Sequence, residues 1–162
     1  MNEPYVPKSD FIWMVVDEEV SLTGSVAADH NLQLLIGFTR DQDKSNRDWA
    51  TMALGMYGPA TDEVRDALLA AADDEDADVR GEAIEALARR DVKLALPLVK
   101  RELQRVPCGC GVFRAAGIVA DRSLVELLKP YDFKSAAPWI DSDIREAIAA
   151  CEANVPIEHW RD

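Results

Sequence analysis

The sequence predicts an all-α stack of antiparallel helical pairs, and three observations carry that prediction. Along Asp76 to Arg90, DADVRGEAIEALARR, the residues Val79, Ala83, Ala86, Leu87 and Arg90 recur at helical spacing, so a narrow apolar stripe runs down one face. The stripe is rich in alanine, which lets a second helix approach closely. The same phrase stands 33 residues earlier, where Arg47, Ala50, Ala53 and Leu54 lie over Arg80, Ala83, Ala86 and Leu87. A fixed period of that size marks a stacked helical repeat. A weaker echo, DIREAI, covers residues 143–148. One pair of helices cannot bury its own apolar face, so stacking is what makes a continuous core.

The elements follow in order. Residues 1–9, with Pro4 and Pro7, read as an irregular lead-in. Asp10 opens a helix through Phe11, Trp13, Met14 and Val20, and a second helix over 27–39 carries Leu32, Leu35 and Phe38. Ser45 opens the next, with Asp48 in capping-box position, and Gly58-Pro59 closes it. Thr61 caps the following helix, with Val64, Ala67, Leu68 and Ala71 on its apolar face. Asp76 caps the helix over 77–90, because a carboxylate oxygen accepts from an unpaired N–H of the first turn. Its companion runs over 92–105, with Pro97 near its first turns. The segment Pro107-Cys108-Gly109-Cys110-Gly111 breaks the chain before an alanine-rich helix over 112–120. Ser123 with Glu126 makes another capping box; residues 130–140 are irregular; Asp141 or Ser142 opens a last helix to Glu152. A tail over 155–162 packs across the end or frays.

The 162 residues suit one domain spanning 1–162, and a hydrophobic fraction of 48% suits a globular chain. The longest apolar run, Phe11 to Val16, is far short of a membrane span, and no secretory signal is visible. Three cysteines make no even-numbered disulfide framework, which points to a reducing cytoplasm. The net charge of −12 is uneven: residues 1–78 hold 17 acidic and 5 basic side chains, residues 79–130 hold 6 and 10, and residues 131–162 hold 7 and 3. Such a chain is a poor binder of phosphate backbones.

With Asp76-Ala77-Asp78-Val79-Arg80-Gly81-Glu82-Ala83-Ile84-Glu85-Ala86-Leu87-Ala88, the matching phrase Arg47 to Gly55 and the companion segment Leu94-Ala95-Leu96-Pro97-Leu98, the chain resembles the HEAT-repeat family, specifically short bacterial HEAT-like proteins related to phycobilin lyases. The resemblance is strongest over residues 31–105. It implies a right-handed α-solenoid of about four HEAT-like pairs plus a terminal helix, with the second helix of each pair lining the concave side. It also implies protein binding, or in some members the handling of a cofactor.

Asp74, Asp76, Asp78 and Glu85 fit positions 1, 3, 5 and 12 of a calcium loop, but Val79 occupies the turn glycine's place and the helical pattern runs straight through. Caps and favourable charge at a helix N-terminus explain them better. Cys108 and Cys110 lack the further ligands a zinc site needs, since His30 and His159 are isolated. No phosphate loop, nucleophile elbow or paired-histidine helix is present, so no catalytic residue, metal or cofactor is expected. Arg47 and Arg80, in register, share a role: an ion pair or hydrogen bond to an acidic or carbonyl group of the neighbouring repeat. Trp49 is a packing residue.

The sequence therefore points to a non-catalytic scaffold or adaptor that binds another protein, with no nucleic acid or membrane involved. On the implied concave row of second helices, Asp62, Asp66, Lys93, Lys100, Arg101 and Gln104 are the candidate contact residues. The alternative is a cofactor or small-ligand handler of the bilin-lyase kind using Cys110 or Trp49. That alternative requires a pocket holding Cys110 beside a base.

Overall fold

The computed structural model describes residues 5–134 and 137–161. Residues 1–4 of the expected lead-in, residues 135–136 of the irregular stretch and the last residue of the tail lie outside them. Among the described residues every regular element is helical: α1 Asp10–Val16, α2 Val26–Phe38, α3 Lys44–Tyr57, α4 Asp62–Ala71, α5 Ala77–Arg90, α6 Val92–Glu102, α7 Gly111–Val119, α8 Val125–Leu128 and α9 Pro138–Ala153, with 3₁₀ turns at Arg122–Leu124, Lys129–Tyr131 and Glu158–Trp160.

Carboxylates and hydroxyls start these helices by accepting orphan backbone N–H groups. Asp76 accepts from the Asp78 amide and Thr61 from the Val64 amide, as the sequence predicts. Elsewhere the cap sits two residues earlier than expected. Asp43, not Ser45, caps α3 by accepting from the amides of Ser45 and Asn46, and Asp121, not Ser123, accepts from the Ser123 amide. An aspartate two residues upstream caps with a charged oxygen, so each helical turn starts earlier and the serine falls inside it. The last helix starts at Pro138 rather than at 141, with proline in the first turn where its missing N–H is harmless. Helix α1 ends at Val16, short of Val20, as Glu18 turns left-handed at φ 57°. Pro97 lies in the middle of α6, deeper than the first turn.

Helix α5 is the centre of the molecule, touching α3, α4, α6 and α7. It is buried almost all round, including Arg80, Gly81, Glu85 and Ala88, and not along a narrow stripe. Burial of Ile84 and Leu87 stabilises by about 1.5–3 kcal/mol each. The first helices α3, α5, α7 and α9 pack side by side, whereas α4 and α6 each lie against two of them. Pairing is regular only in this middle: α1 and α2 both pack on α3, and α8 packs on α9. Trp13 packs against Trp49 with ring centroids 5.4 Å apart and planes tilted by 42°, which gives Trp49 the packing role expected of it.

The α5–α7 contact explains the Cys-Gly-Cys-Gly segment. A Cβ on Gly109 would fall 1.9 Å from the Ala77 carbonyl oxygen, and one on Gly111 would fall 2.6 Å from that of Gly81. Backbone lies directly on backbone here, so only glycine fits.

The two repeated arginines act as hooks. Arg47 Nη1 donates to the carbonyls of Asp41 and Gln42 at 3.1 and 3.2 Å, and Arg80 Nη1 donates to those of Asp74 and Glu75 at 3.1 and 3.0 Å. These acceptors are themselves 33 residues apart. Across the stack, Arg47 clasps Asp74 at 2.9 and 3.1 Å, while Arg80 holds Glu102 at 2.9 Å and the Pro107 carbonyl at 3.0 Å. Each arginine thus ties the loop before its own helix to the next repeat, as the shared register implies. The C-terminal echo differs, because Arg145 is exposed and only meets Asp132 at 3.3 Å.

Candidate functional site

A recess of about 670 Å³ lies on the row of first helices and not on the second helices. The last turns of α3 supply Met52, Gly55, Met56 and Tyr57. From α5 come Glu82, Glu85, Ala86, Arg89 and Arg90, a series at helical spacing that puts them along one side. Helix α7 adds Arg114, and the C-terminal tail adds Arg161.

The tail forms a wall because Trp160, 6% exposed, seats on α7. A Cβ on Gly117 would lie 2.3 Å from the indole Cζ3, so the absence of a side chain there makes the seat. The Ile157 amide donates to the Gly117 carbonyl at 3.1 Å, and Arg89 Nε donates to the Trp160 carbonyl at 3.0 Å. The tail expected to pack or fray therefore packs. Arg114 lies 5.7 Å from the Trp160 ring centroid, within cation–π range.

The four arginines differ in what they hold. Arg90 Nη2 donates to the carbonyls of Leu54, Gly55 and Gly58 at 3.1, 2.9 and 3.1 Å, closing the C-terminal end of α3. Burial and the neighbouring Arg89 both pull its pKa down, and its buried Nε has no acceptor. Arg89 and Arg114 share the Glu85 carboxylate, Arg114 at 3.5 Å. Arg161 meets exposed Glu158 at 3.4 Å, and its own Nε is buried without a hydrogen-bond partner among the described residues. Burial, followed by the charge of Glu85, pushes Glu82 up to about 7, while burial raises Glu85 against the pull of Arg89 and Arg114. The lining contains no cysteine, serine or histidine. Chemically, it is a place to hold an anionic, oxygen-bearing group.

The six residues singled out from the sequence lie elsewhere, on α4, on α6 or just beyond it. Asp62 and Asp66 are exposed and both bound by Arg65. Arg101 is engaged by the Ala72 carbonyl and by Asp73, and Gln104 donates to the Lys100 carbonyl. Lys93 is exposed and Lys100 half-buried. None of the six lines the main recess, although Asp62 borders a hollow of about 170 Å³ on the other side of Arg90. Sequence reasoning missed Arg89, Arg90 and Arg114. The signal available was the excess of basic residues over 79–130, which was assigned to α6 alone.

Cys108 and Cys110 line a separate apolar recess of about 300 Å³ with Phe113, Tyr131, Phe133 and Ile144. Burial pushes the Cys108 thiol up to about 12 and raises Cys110 as well; the charges felt at Cys110, from Asp78, Glu82 and Asp143, are acidic and raise it further. Neither thiol is poised as a nucleophile. The carboxylates of the calcium template are dispersed: Asp74 on Arg47, Asp76 and Asp78 on Lys44 at 3.0 and 3.1 Å, and Glu85 at the recess. Among the described residues no group of three or more potential ligands is placed to hold a metal ion, and no helix is long and apolar enough to cross a membrane.

A stack of first helices hooked through in-register arginines is the architecture of a repeat solenoid, and residues 31–105 match the family model for HEAT repeats. Among curated proteins it is similar to Protein YibA of Escherichia coli strain K12, 28% identical over 103 residues, covering 64% of this chain and 37% of that protein. The protein of the same name from Escherichia coli O157:H7 matches with the same figures. The X-ray structure of YibA superposes with a TM-score of 0.56 at 23% identity, over 86% of this chain and 54% of that one, which is a likeness of fold. The chain thus spans 37% of the length of the curated relatives it matches.

Proposed function

We propose that this chain is a non-catalytic scaffold or adaptor of a reducing cytoplasm, whose protein partner docks on the row of first helices at the arginine-lined recess. HEAT repeats generally mediate protein interactions. The observation that carries the finer reading is the recess itself: open volume of about 670 Å³ with methionine and tyrosine on one side and guanidinium groups on the other, and no nucleophile in its lining. Apolar contact area with a few directional polar groups is what protein docking uses. Methionine suits such a surface because its unbranched side chain adapts to the partner. The second helices fit less well, since Arg65 already holds Asp62 and Asp66, and Asp73 with the Ala72 carbonyl holds Arg101.

The test places a photo-crosslinking residue at Met56, at the recess, or at Lys93, on α6, and exposes each variant to lysate of the source organism. A discrete adduct from position 56 and none from position 93 supports the reading. The reverse pattern moves the docking face to the second helices and sinks it.

A second reading, handling of a cofactor of the bilin kind, is favoured by one observation only, the apolar recess holding Cys110, Phe113 and Tyr131. A visible-absorption titration with biliverdin that leaves the pigment's spectrum unchanged removes it.

A further inference from the structure

We infer that the segment received by the recess is acidic, a stretch of the partner protein carrying aspartate or glutamate carboxylates spaced with apolar residues. This rests on the docking reading above and adds the chemistry of the occupant.

The sign of the site is inverted relative to the molecule. A chain of net charge −12 gathers four guanidinium groups, Arg89, Arg90, Arg114 and Arg161, around one hollow lined, among the described residues, by two carboxylates. One of the two, Glu82, is half protonated near neutral pH, which widens the surplus. Asp143 lies near Arg114 and Glu158 near Arg161, but Glu158 is an exposed partner at 3.4 Å, a contact of little worth in water.

Donors are left over as well as charge. Among the described residues the buried Nε atoms of Arg90 and Arg161 have no acceptor, and a buried unpaired N–H is costly. Arg90 reaches carbonyls only, which satisfy its hydrogens without neutralising its charge. An arriving carboxylate supplies both acceptor and counter-ion, and the planar guanidinium fork matches its geometry. The apolar spacing follows from Met52, Met56 and Tyr57 along the α3 side. Nucleic acid fits less well, because a phosphate backbone extends beyond the hollow onto an acidic surface.

The experiment uses the full chain and two fluorescein-labelled dodecapeptides, one alternating glutamate with leucine and its glutamine isostere, read by fluorescence anisotropy. Arg114→Gln and Arg161→Gln are the test variants, because both side chains are partly exposed and neither closes a helix; thermal melts check that they fold. The expected result is saturable binding of the acidic peptide, weakened about tenfold by either variant and further by raised salt, with the isostere at least about tenfold weaker. Equal binding of the isostere, no binding of either peptide, or variants that bind unchanged would overturn the acidic occupant. So would displacement of the acidic peptide by an oligothymidylate that binds more tightly. None of these results alters the crosslinking pattern at Met56, so docking on the first helices stands or falls separately.

Discussion

Arg80 donates from Nε to Glu102 Oε2 at 2.9 Å, and the two side chains are 5% and 0% exposed. Glu102 also accepts from the Gly109 amide at 3.3 Å and lies 3.7 Å from Arg105. The pair fills a gap in the repeat. Asp74 serves Arg47, but the position 33 residues after Asp74 is Pro107, which offers only a carbonyl. The acid is recruited from the end of α6 instead.

Breaking this pair leaves a buried charge unmatched. Glu102→Met alone is expected to lower unfolding free energy by about 3–5 kcal/mol, whereas the double change Arg80→Met, Glu102→Met costs much less than the two single changes added together. Urea denaturation of the four proteins measures the coupling. Additive losses would mean that the pair does not act as a unit.

Gly109→Ala must push backbone apart, since its Cβ would lie 1.9 Å from the Ala77 oxygen. A loss of about 3 kcal/mol or more is expected, with Cys108→Ala and Cys110→Ala far milder. Thermal melts compare them directly, and a neutral Gly109→Ala would refute the close contact between α5 and the turn before α7.

The pH dependence follows from Glu82. Its folded pKa of about 7 exceeds the ordinary 4.5, so between these values the folded chain holds a proton that the unfolded chain has lost. Stability from this group is therefore greatest at low pH and falls as pH rises from about 4.5 through about 7. Because the side chain is only partly shielded, Glu82→Gln should gain about 1–2 kcal/mol on the parent between pH 5 and pH 8. Chemical denaturation at the two values checks it; a gap that narrows toward pH 8 contradicts the sign.

Thiol chemistry offers a fourth measurement. Burial keeps Cys108 and Cys110 protonated at neutral pH, so iodoacetamide at pH 7.5 should alkylate the native chain at least about tenfold more slowly than free cysteine. Rates equal to those of the free amino acid would show an exposed or activated thiol.

The architecture was legible because it is written in local terms. Helical spacing, the 33-residue period and the Arg47–Arg80 register all survive translation into three dimensions, down to the carbonyls each arginine holds. What failed locally failed by competition: Ser45 and Ser123 have capping chemistry, but Asp43 and Asp121 cap two residues earlier and take the serines' own amides into the first turn. The recess was not legible for a different reason. Arg89, Arg114 and Arg161 meet only because a glycine at 117 seats Trp160 and folds the tail back across 71 residues of sequence to Arg89. No periodicity records a long-range encounter of that kind. The six candidates rest on their place on the implied row of second helices, and spacing does not record that Arg65, Asp73 and the Ala72 carbonyl already engage three of them.

The hooks also impose an order of assembly on a chain made from its N-terminus. Arg47 finds its loop carbonyls behind it but its carboxylate 27 residues ahead, and Arg80 likewise waits 27 residues for the Pro107 carbonyl. On the ribosome each hinge stays unlatched until its successor emerges, so the stack closes vectorially, like a zip drawn by translation itself.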